Sequence, residues 1–238
     1  MSILKSIYRF FISPRIKYSF FLEAPRRWLL TYDHRETIMK YVMEYAYYQS
    51  TRPGKQLHGD YFEFGTYRGN SFIKAWYFAK WAGLKGMKFF AFDSFGGYPP
   101  LTEKDKNEYY EEGQYNCDLP TFKKILRKAG VKLDRVCFCQ MFFEDLKEKA
   151  YTQFSTDRPA SVVWIDCDLY KATKLALDWV DQYLVDGTIV VLADWFLTNG
   201  REDMGQPLAL KEFHETHETR LVEMMSFPGA KMFIVSQR

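Results

Sequence analysis

Asp60-Tyr-Phe-Glu-Phe-Gly-Thr-Tyr-Arg-Gly-Asn-Ser71 opens as an apolar run, turns through two glycines and leads into residues 72–81, whose spacing predicts a helix. Strand, glycine turn and helix in that order begin a parallel α/β unit. Glycines at such a turn let the backbone approach a ligand, and the helix start offers N–H groups without partners. The dinucleotide spacing G-x-G-x-x-G is absent. Glu63 at the strand end argues further against a pyrophosphate, which it would repel, and for a cationic group. A plain glycine turn with no ligand is the alternative this segment leaves open.

Outward from it, short apolar runs alternate with amphipathic stretches. Strands are predicted at 61–64, 88–92, 135–140, 162–166 and 188–193. Runs at 220–225 and 232–236 leave little room for a helix between them and are expected to pair as a hairpin. Ala172, Leu175, Ala176, Trp179, Tyr183 and Leu184 keep a helical stripe, with Lys171, Lys174, Asp178 and Asp181 facing away. Asp118 is predicted to cap a helix with Pro120 in its first turn, and Gly130 to end it. The result is an α/β, Rossmann-like sheet of five parallel strands plus a terminal antiparallel hairpin, with helices on both faces. Its ligand is expected beyond the strands' carboxyl ends. Residues 99–117 break the rhythm and read as a long loop over that edge, a candidate lid.

The chain has 238 residues, enough for one sizeable domain, and a net charge of +3. That charge is unevenly divided. The first 30 residues hold Lys5, Arg9, Arg15, Lys17, Arg26 and Arg27 against Glu23 alone, a net +5 threaded with aromatics, which leaves −2 for the rest. Residues 1–57 are therefore read as a basic, aromatic, helical N-terminal extension and 58–238 as the main domain. Basic residues interrupt every apolar core that a signal peptide would need. No run approaches the roughly 18–20 apolar residues of a membrane span, so a cytoplasmic protein is expected. Residues 1–30 fit either a lid or homo-oligomer contact, or peripheral contact with an anionic membrane surface. Nucleic acid is not an expected partner, since no basic stripe lies outside this segment. Four cysteines without a C-x-x-C pair read as buried thiols in a reducing compartment.

Two further segments carry chemistry. Phe89-Phe-Ala-Phe-Asp-Ser-Phe-Gly-Gly97 puts Asp93 at the end of the second strand, where an acid can accept hydrogen bonds from ribose hydroxyls. Glu63 and Asp93 on neighbouring strand ends favour an adenosine-type ligand. Val162-Val-Trp-Ile-Asp-Cys-Asp-Leu-Tyr170 and Val190-Val-Leu-Ala-Asp-Trp195 bring Asp166, Asp168 and Asp194 to the same edge. Asp166 and Asp168 would face one way if the chain stays extended. Like charges so placed raise one another's pKa unless a metal or cationic ligand neutralises them. Oxygen ligands suit Mg²⁺, Ca²⁺ or Mn²⁺ rather than zinc. Surface acids capping the next helix are the alternative.

Glu-Phe-Gly-Thr-Tyr-Arg-Gly-Asn-Ser, Phe-Asp-Ser-Phe-Gly-Gly and Ile-Asp-Cys-Asp-Leu-Tyr-Lys-Ala-Thr together resemble the macrocin O-methyltransferase (TylF-type) family over about residues 58–213. These are S-adenosylmethionine-dependent enzymes acting on sugar hydroxyls of glycosylated natural products. The resemblance implies a seven-stranded class I methyltransferase fold, S-adenosylmethionine as cofactor and a small-molecule or glycan acceptor. It implies Glu63, Gly65, Thr66, Tyr67 and Ser71 around the cofactor's methionine end, Asp93 and Ser94 at its ribose, and Met141 and Phe142 beside adenine. It also gives Asp166 a place at the cofactor, makes Asp166 and Asp194 ligands of Mg²⁺ or a similar cation, and makes Asp168 the base. One departure stands out: where the family has two adjacent acids, this chain has Ala193-Asp194, leaving water, Asn199 or a substrate hydroxyl to complete the metal.

Methyl transfer to a hydroxyl needs in-line approach and removal of the hydroxyl proton. Without a metal, Asp168 or a histidine such as His214 would act alone. Tyr98, Tyr109, Tyr110, Tyr115, Trp195 and Phe196 are read either as a platform for sugar rings or as core. A small phenol or catechol is the alternative acceptor. A non-catalytic binding protein that retains the cofactor site is the alternative outside this chemistry.

Overall fold

The computed structural model describes residues 34–54, 56–106, 109–153 and 156–236. The order is α1 (His34–Thr51), β1 (Asp60–Phe64), α2 (Asn70–Ala82), β2 (Phe89–Asp93), α3 (Leu119–Ala129), β3 (Val136–Gln140), α4 (Leu146–Gln153), β4 (Ala160–Ile165), α5 (Tyr170–Val180), β5 (Ile189–Leu192), α6 (Gly205–Thr216), β6 (Arg220–Phe227) and β7 (Ala230–Ser236). One seven-stranded sheet runs β3-β2-β1-β4-β5-β7-β6. β1 to β5 pair in parallel, and β7 joins antiparallel between β5 and β6. All seven expected strands form, and the hairpin closes the sheet as expected.

The central strands are mostly apolar and buried because helices cover both faces. Alternation then sorts their side chains. Phe62, Phe64, Phe90, Phe92, Val163, Ile165, Val190 and Leu192 enter a core with Leu177 of α5 and Phe213 of α6. Tyr61, Phe89, Ala91, Val162, Trp164, Ile189 and Val191 enter the other, with Phe72 and Trp76 of α2 and Phe122 of α3. Ile38, Met39, Val42, Met43 and Ala46 of α1 are buried in that second core. The helix begun at His34 is thus packed on the sheet, although it belongs to the stretch read as an extension. Residues 1–30, with the basic aromatic segment, lie outside the described residues.

Helix ends follow their sequence cues. Asp118 Oδ1 accepts the Thr121 amide at 2.8 Å, and Gly130 closes α3 at φ 82°. α5 is shorter than its apolar stripe: it stops at Val180 and continues as a single 3₁₀ turn, Asp181–Tyr183. Nor is its polar face simply solvated. Lys171 pairs with Glu144 at 2.6 Å and Lys174 with Glu212 at 3.1 Å, forming a seam to neighbouring elements. Among the described residues no helix is long and apolar enough to cross a membrane.

Gly65 joins the ends of three strands. Its N–H donates to Phe92 O at 2.9 Å, and Phe64 O accepts the Asp166 amide at 2.9 Å. Its φ is +83°, and a Cβ there would stand 2.1 Å from Asp166 O. Only glycine allows this approach, which holds the glycine turn against the acid-bearing end of β4.

Candidate active site

The carboxyl ends of the parallel strands share one edge, and the order of connection reverses between β1 and β4. A cavity of about 460 Å³ opens there. Gly65, Thr66, Tyr67, Ser71, Asp93, Ser94, Met141, Phe142, Asp166 and Asp168, all singled out by sequence, line it. Glu63 and Asp194 do not.

Asp93 shapes the glycine turn. Its Oδ2 accepts the Thr66 amide at 2.7 Å, the Tyr67 amide at 3.1 Å and the Thr66 hydroxyl at 3.2 Å, while Oδ1 accepts the Phe95 amide at 2.7 Å. The acid expected at a ribose is therefore also a clamp on the loop, a role its spacing did not reveal. Oδ2 is fully engaged, and Oδ1, with a single donor, is the oxygen that can accept from a ligand.

Glu63 lies wholly buried beneath the cavity, on the same face of β1 as Tyr61. Ser71, which lines the cavity, donates to Glu63 Oε1 at 2.6 Å, and the Tyr61 hydroxyl donates to Oε2. Burial pushes the carboxyl up to about 8. The Ser71 and Tyr61 hydrogen bonds and the Arg35 charge hold it down, while the Asp166 charge raises it further. Folded-state affinity for that proton makes stability full below the unfolded value near 4.5 and erodes it as pH rises through about 8. Glu63→Gln cannot ionise, so its melting temperature should exceed the native protein's by about 5 °C or more at about pH 9. The two should nearly coincide at about pH 4, below the unfolded value, and separate progressively as pH rises from there to about 8. Circular-dichroism melts at both pH values measure this, and parallel pH dependence would remove the burial argument.

The three aspartates meet, but not by strand alternation. β4 ends at Ile165, and Asp168 has φ +56°, in the left-handed region. The chain is not extended from Asp166 to Asp168, so the expected shared facing is replaced by a turn. Asp168 Oδ2 accepts the Tyr98 hydroxyl, and the Asp168 amide donates to Asp194 Oδ2 at 3.0 Å. Asp194 is buried at the end of β5, where the Gln206 side chain receives its amide at 2.9 Å. Burial pushes the Asp194 carboxyl well up, and the Asp166 and Asp168 charges add to this. Burial also raises Asp168, against the Tyr98 hydrogen bond.

Arg35, from the first turn of α1, reaches into this group. Nη1 stands 2.7 Å from Asp166 Oδ2 and Nη2 3.3 Å from Asp194 Oδ1. Sequence reading missed it: the only signal was a basic residue between His34 and Glu36. Among the described residues no set of three or more His, Cys, Asp or Glu side chains is arranged to hold a metal.

The loop after Gly97 covers the cavity as expected. Tyr98 ties the two ends of the loop together: its O accepts the Gly113 amide at 3.0 Å, and its N–H donates to Gln114 O at 3.0 Å. Asp105 accepts the Tyr170 amide at 2.6 Å, capping α5 from across the site. Tyr98 and Tyr115 line the cavity with ring centroids 5.5 Å apart. Tyr109, Tyr110, Trp195 and Phe196 do not line it. Trp195 packs on Phe233 at 5.5 Å, with Lys231 Nζ over its ring, which makes it a packing residue rather than a platform. His214 is also withdrawn as an alternative base: its Nε2 accepts the Leu221 amide at 3.1 Å, away from the cavity.

A seven-stranded sheet of this order, with a glycine turn after β1, an acid at the end of β2 and a cavity at the β1/β4 reversal, is the architecture of class I methyltransferases. The family model for macrocin-O-methyltransferase (TylF) matches residues 49–221. The chain belongs to this family and is an O-methyltransferase. Among solved structures it is similar to the calicheamicin methyltransferase CalS11, at 18% identity and TM-score 0.63 over 88% of this chain and 82% of that one. It is similar also to the O-methyltransferase NovP, at 16% identity and TM-score 0.65 over 86% and 80%. No curated protein sequence gives a significant match.

Proposed function

We propose that the protein transfers the methyl group of S-adenosylmethionine to a hydroxyl of a sugar or glycoside. The observation that carries this is the cavity at the β1/β4 reversal, where the glycine turn, Asp93 and Asp168 share one space. Glycine-turn amides and Ser71 suit the methionine end of the donor, Asp93 and Ser94 its ribose, and Met141 and Phe142 the face of its adenine. Glu63 contributes through Ser71 rather than by direct contact. An acceptor hydroxyl under the tyrosine-rich loop would lie beside Asp168. Holding that oxygen in line with the S–CH₃ bond supplies up to about 7–11 kcal/mol of the barrier reduction. The O–CH₃ bond forms as the S–CH₃ bond breaks, the electron pair stays on sulfur, and the hydroxyl proton passes to Asp168. A sugar acceptor is supported by the description of CalS11 as a TDP-rhamnose 3'-O-methyltransferase. Tyr98 and Tyr115 also offer apolar faces to a sugar ring.

A divalent cation does not fit the side chains as they stand. Asp166 and Asp194 each give an oxygen to Arg35, Asp168 gives one to Tyr98, and Ala193 has none to offer.

Calorimetry with S-adenosylmethionine and NAD, followed by methyl transfer to a panel of nucleotide sugars, glycosides and catechols, tests the proposal. Binding of S-adenosylmethionine alone and methylation of a glycoside are expected. Turnover only with catechols would move the acceptor to phenols, and binding without any turnover would leave a binding protein.

A further inference from the structure

We infer that Arg35 is the resident cation of the acidic cluster, standing in for a divalent metal, and that methyl transfer here proceeds without one. The inference rests on the methyltransferase reading above. Asp166, Asp168 and Asp194 gather at one strand edge, and carboxylates so close are unfavourable without a counter-charge. One planar guanidinium supplies it, with Nη1 2.7 Å from Asp166 and Nη2 3.3 Å from Asp194. It therefore spans the two side chains that the family resemblance assigns to a metal, and a rigid fork of donors suits that task.

The remaining contacts point the same way. Asp194 Oδ2 takes the Asp168 amide at 3.0 Å, and Trp164 Nε1 approaches Asp166 Oδ2 at 3.3 Å. Mg²⁺ requires a near-octahedral shell of oxygens at about 2.0–2.1 Å, and Ala193 removes one donor where the family has an acid. A metal could enter between Asp166 and Asp194 only by displacing Arg35. The guanidinium side chain is 45% exposed and lines the cavity, so it faces whatever is bound over Asp166 and Asp168. A guanidinium carries five N–H donors, more than its two carboxylate partners require. It can thus also steady the acceptor oxygen while the proton leaves for Asp168 and the methyl group arrives from sulfur.

The test uses the full chain, stripped with EDTA, in native form and as Arg35→Ala and Arg35→Lys. Mn²⁺ binding is read by electron paramagnetic resonance, S-adenosylhomocysteine binding by calorimetry, and turnover in the presence of EDTA. The native protein is expected to turn over unchanged in EDTA and to leave Mn²⁺ free at about 0.1 mM, within the range that oxygen sites cover. Arg35→Ala is expected to bind Mn²⁺ under the same conditions, to keep its S-adenosylhomocysteine affinity and to lose about 10²-fold in kcat. Arg35→Lys, which keeps the charge without the fork, should fall between the two and stands in if the alanine variant does not fold. Mn²⁺ binding by the native chain with loss of turnover in EDTA overturns the inference, as does an Arg35→Ala variant with native kcat in EDTA. Failure of the native chain to bind S-adenosylhomocysteine instead defeats the methyltransferase reading, and the Mn²⁺ comparison still decides whether Arg35 excludes a metal.

Discussion

Asp168→Asn is expected to bind S-adenosylmethionine as the native protein does and to lose about 10²–10⁴-fold in kcat, the usual contribution of a positioned general base. That loss is about 3–5 kcal/mol of transition-state stabilisation. The substitution is clean for a structural reason. Asp168 has φ +56°, and asparagine tolerates the left-handed region better than most residues. The Asp168 amide bond to Asp194 and the hydrogen bond from Tyr98 can both persist with an amide side chain. Asparagine, however, cannot take the proton. Single-turnover methyl transfer alongside calorimetric titration separates the two effects, and a variant with native kcat would remove Asp168 from the mechanism.

Gly65→Ala should cost more stability than any other single methyl added at this edge of the sheet. Placing a side chain at φ +83° costs about 1–2 kcal/mol. The new Cβ would also stand 2.1 Å from Asp166 O, so the ends of β1 and β4 would have to part. A total of about 4 kcal/mol is expected, the range of the most disruptive single substitutions. In a domain of this size that lowers the melting temperature by about 10 °C. Gly229→Ala is the control: its φ is +92° in the hairpin turn, and nothing lies within 4 Å of an added Cβ. It should show the backbone strain alone. Equal losses in the two variants would mean that the close approach carries no weight.

The sheet was legible because its strands are buried on both faces, and continuous apolar runs such as Phe89–Phe92 and Val190–Leu192 have few other uses. The position of the site was legible for a related reason: charged residues that end apolar strands can only sit at an edge. What each acid does there was less accessible. Glu63 alternates with Phe62 and Phe64, which aims it with Tyr61 toward α2 and into burial rather than at a ligand. Asp93 spends its oxygens on amides of a loop 26 and 27 residues earlier. The turn at Asp168 depends on a left-handed residue that no glycine announces. Arg35 was the least accessible of all, since its partners lie 131 and 159 residues away and no local pattern links them.

The position of Arg35 on α1 also bears on how this enzyme can be divided. The family-matched segment begins at residue 49, after the guanidinium and most of the helix that carries it. A shortened enzyme cut at that boundary would retain the glycine turn, the lid and all three aspartates, yet lose the positive charge that lets the aspartates share one corner. Grafting this acceptor chemistry onto a relative would likewise need two separate pieces, the Ala193-Asp194 corner and the first turn of a helix far upstream. Transplanting either piece alone would leave a charge without its counterpart.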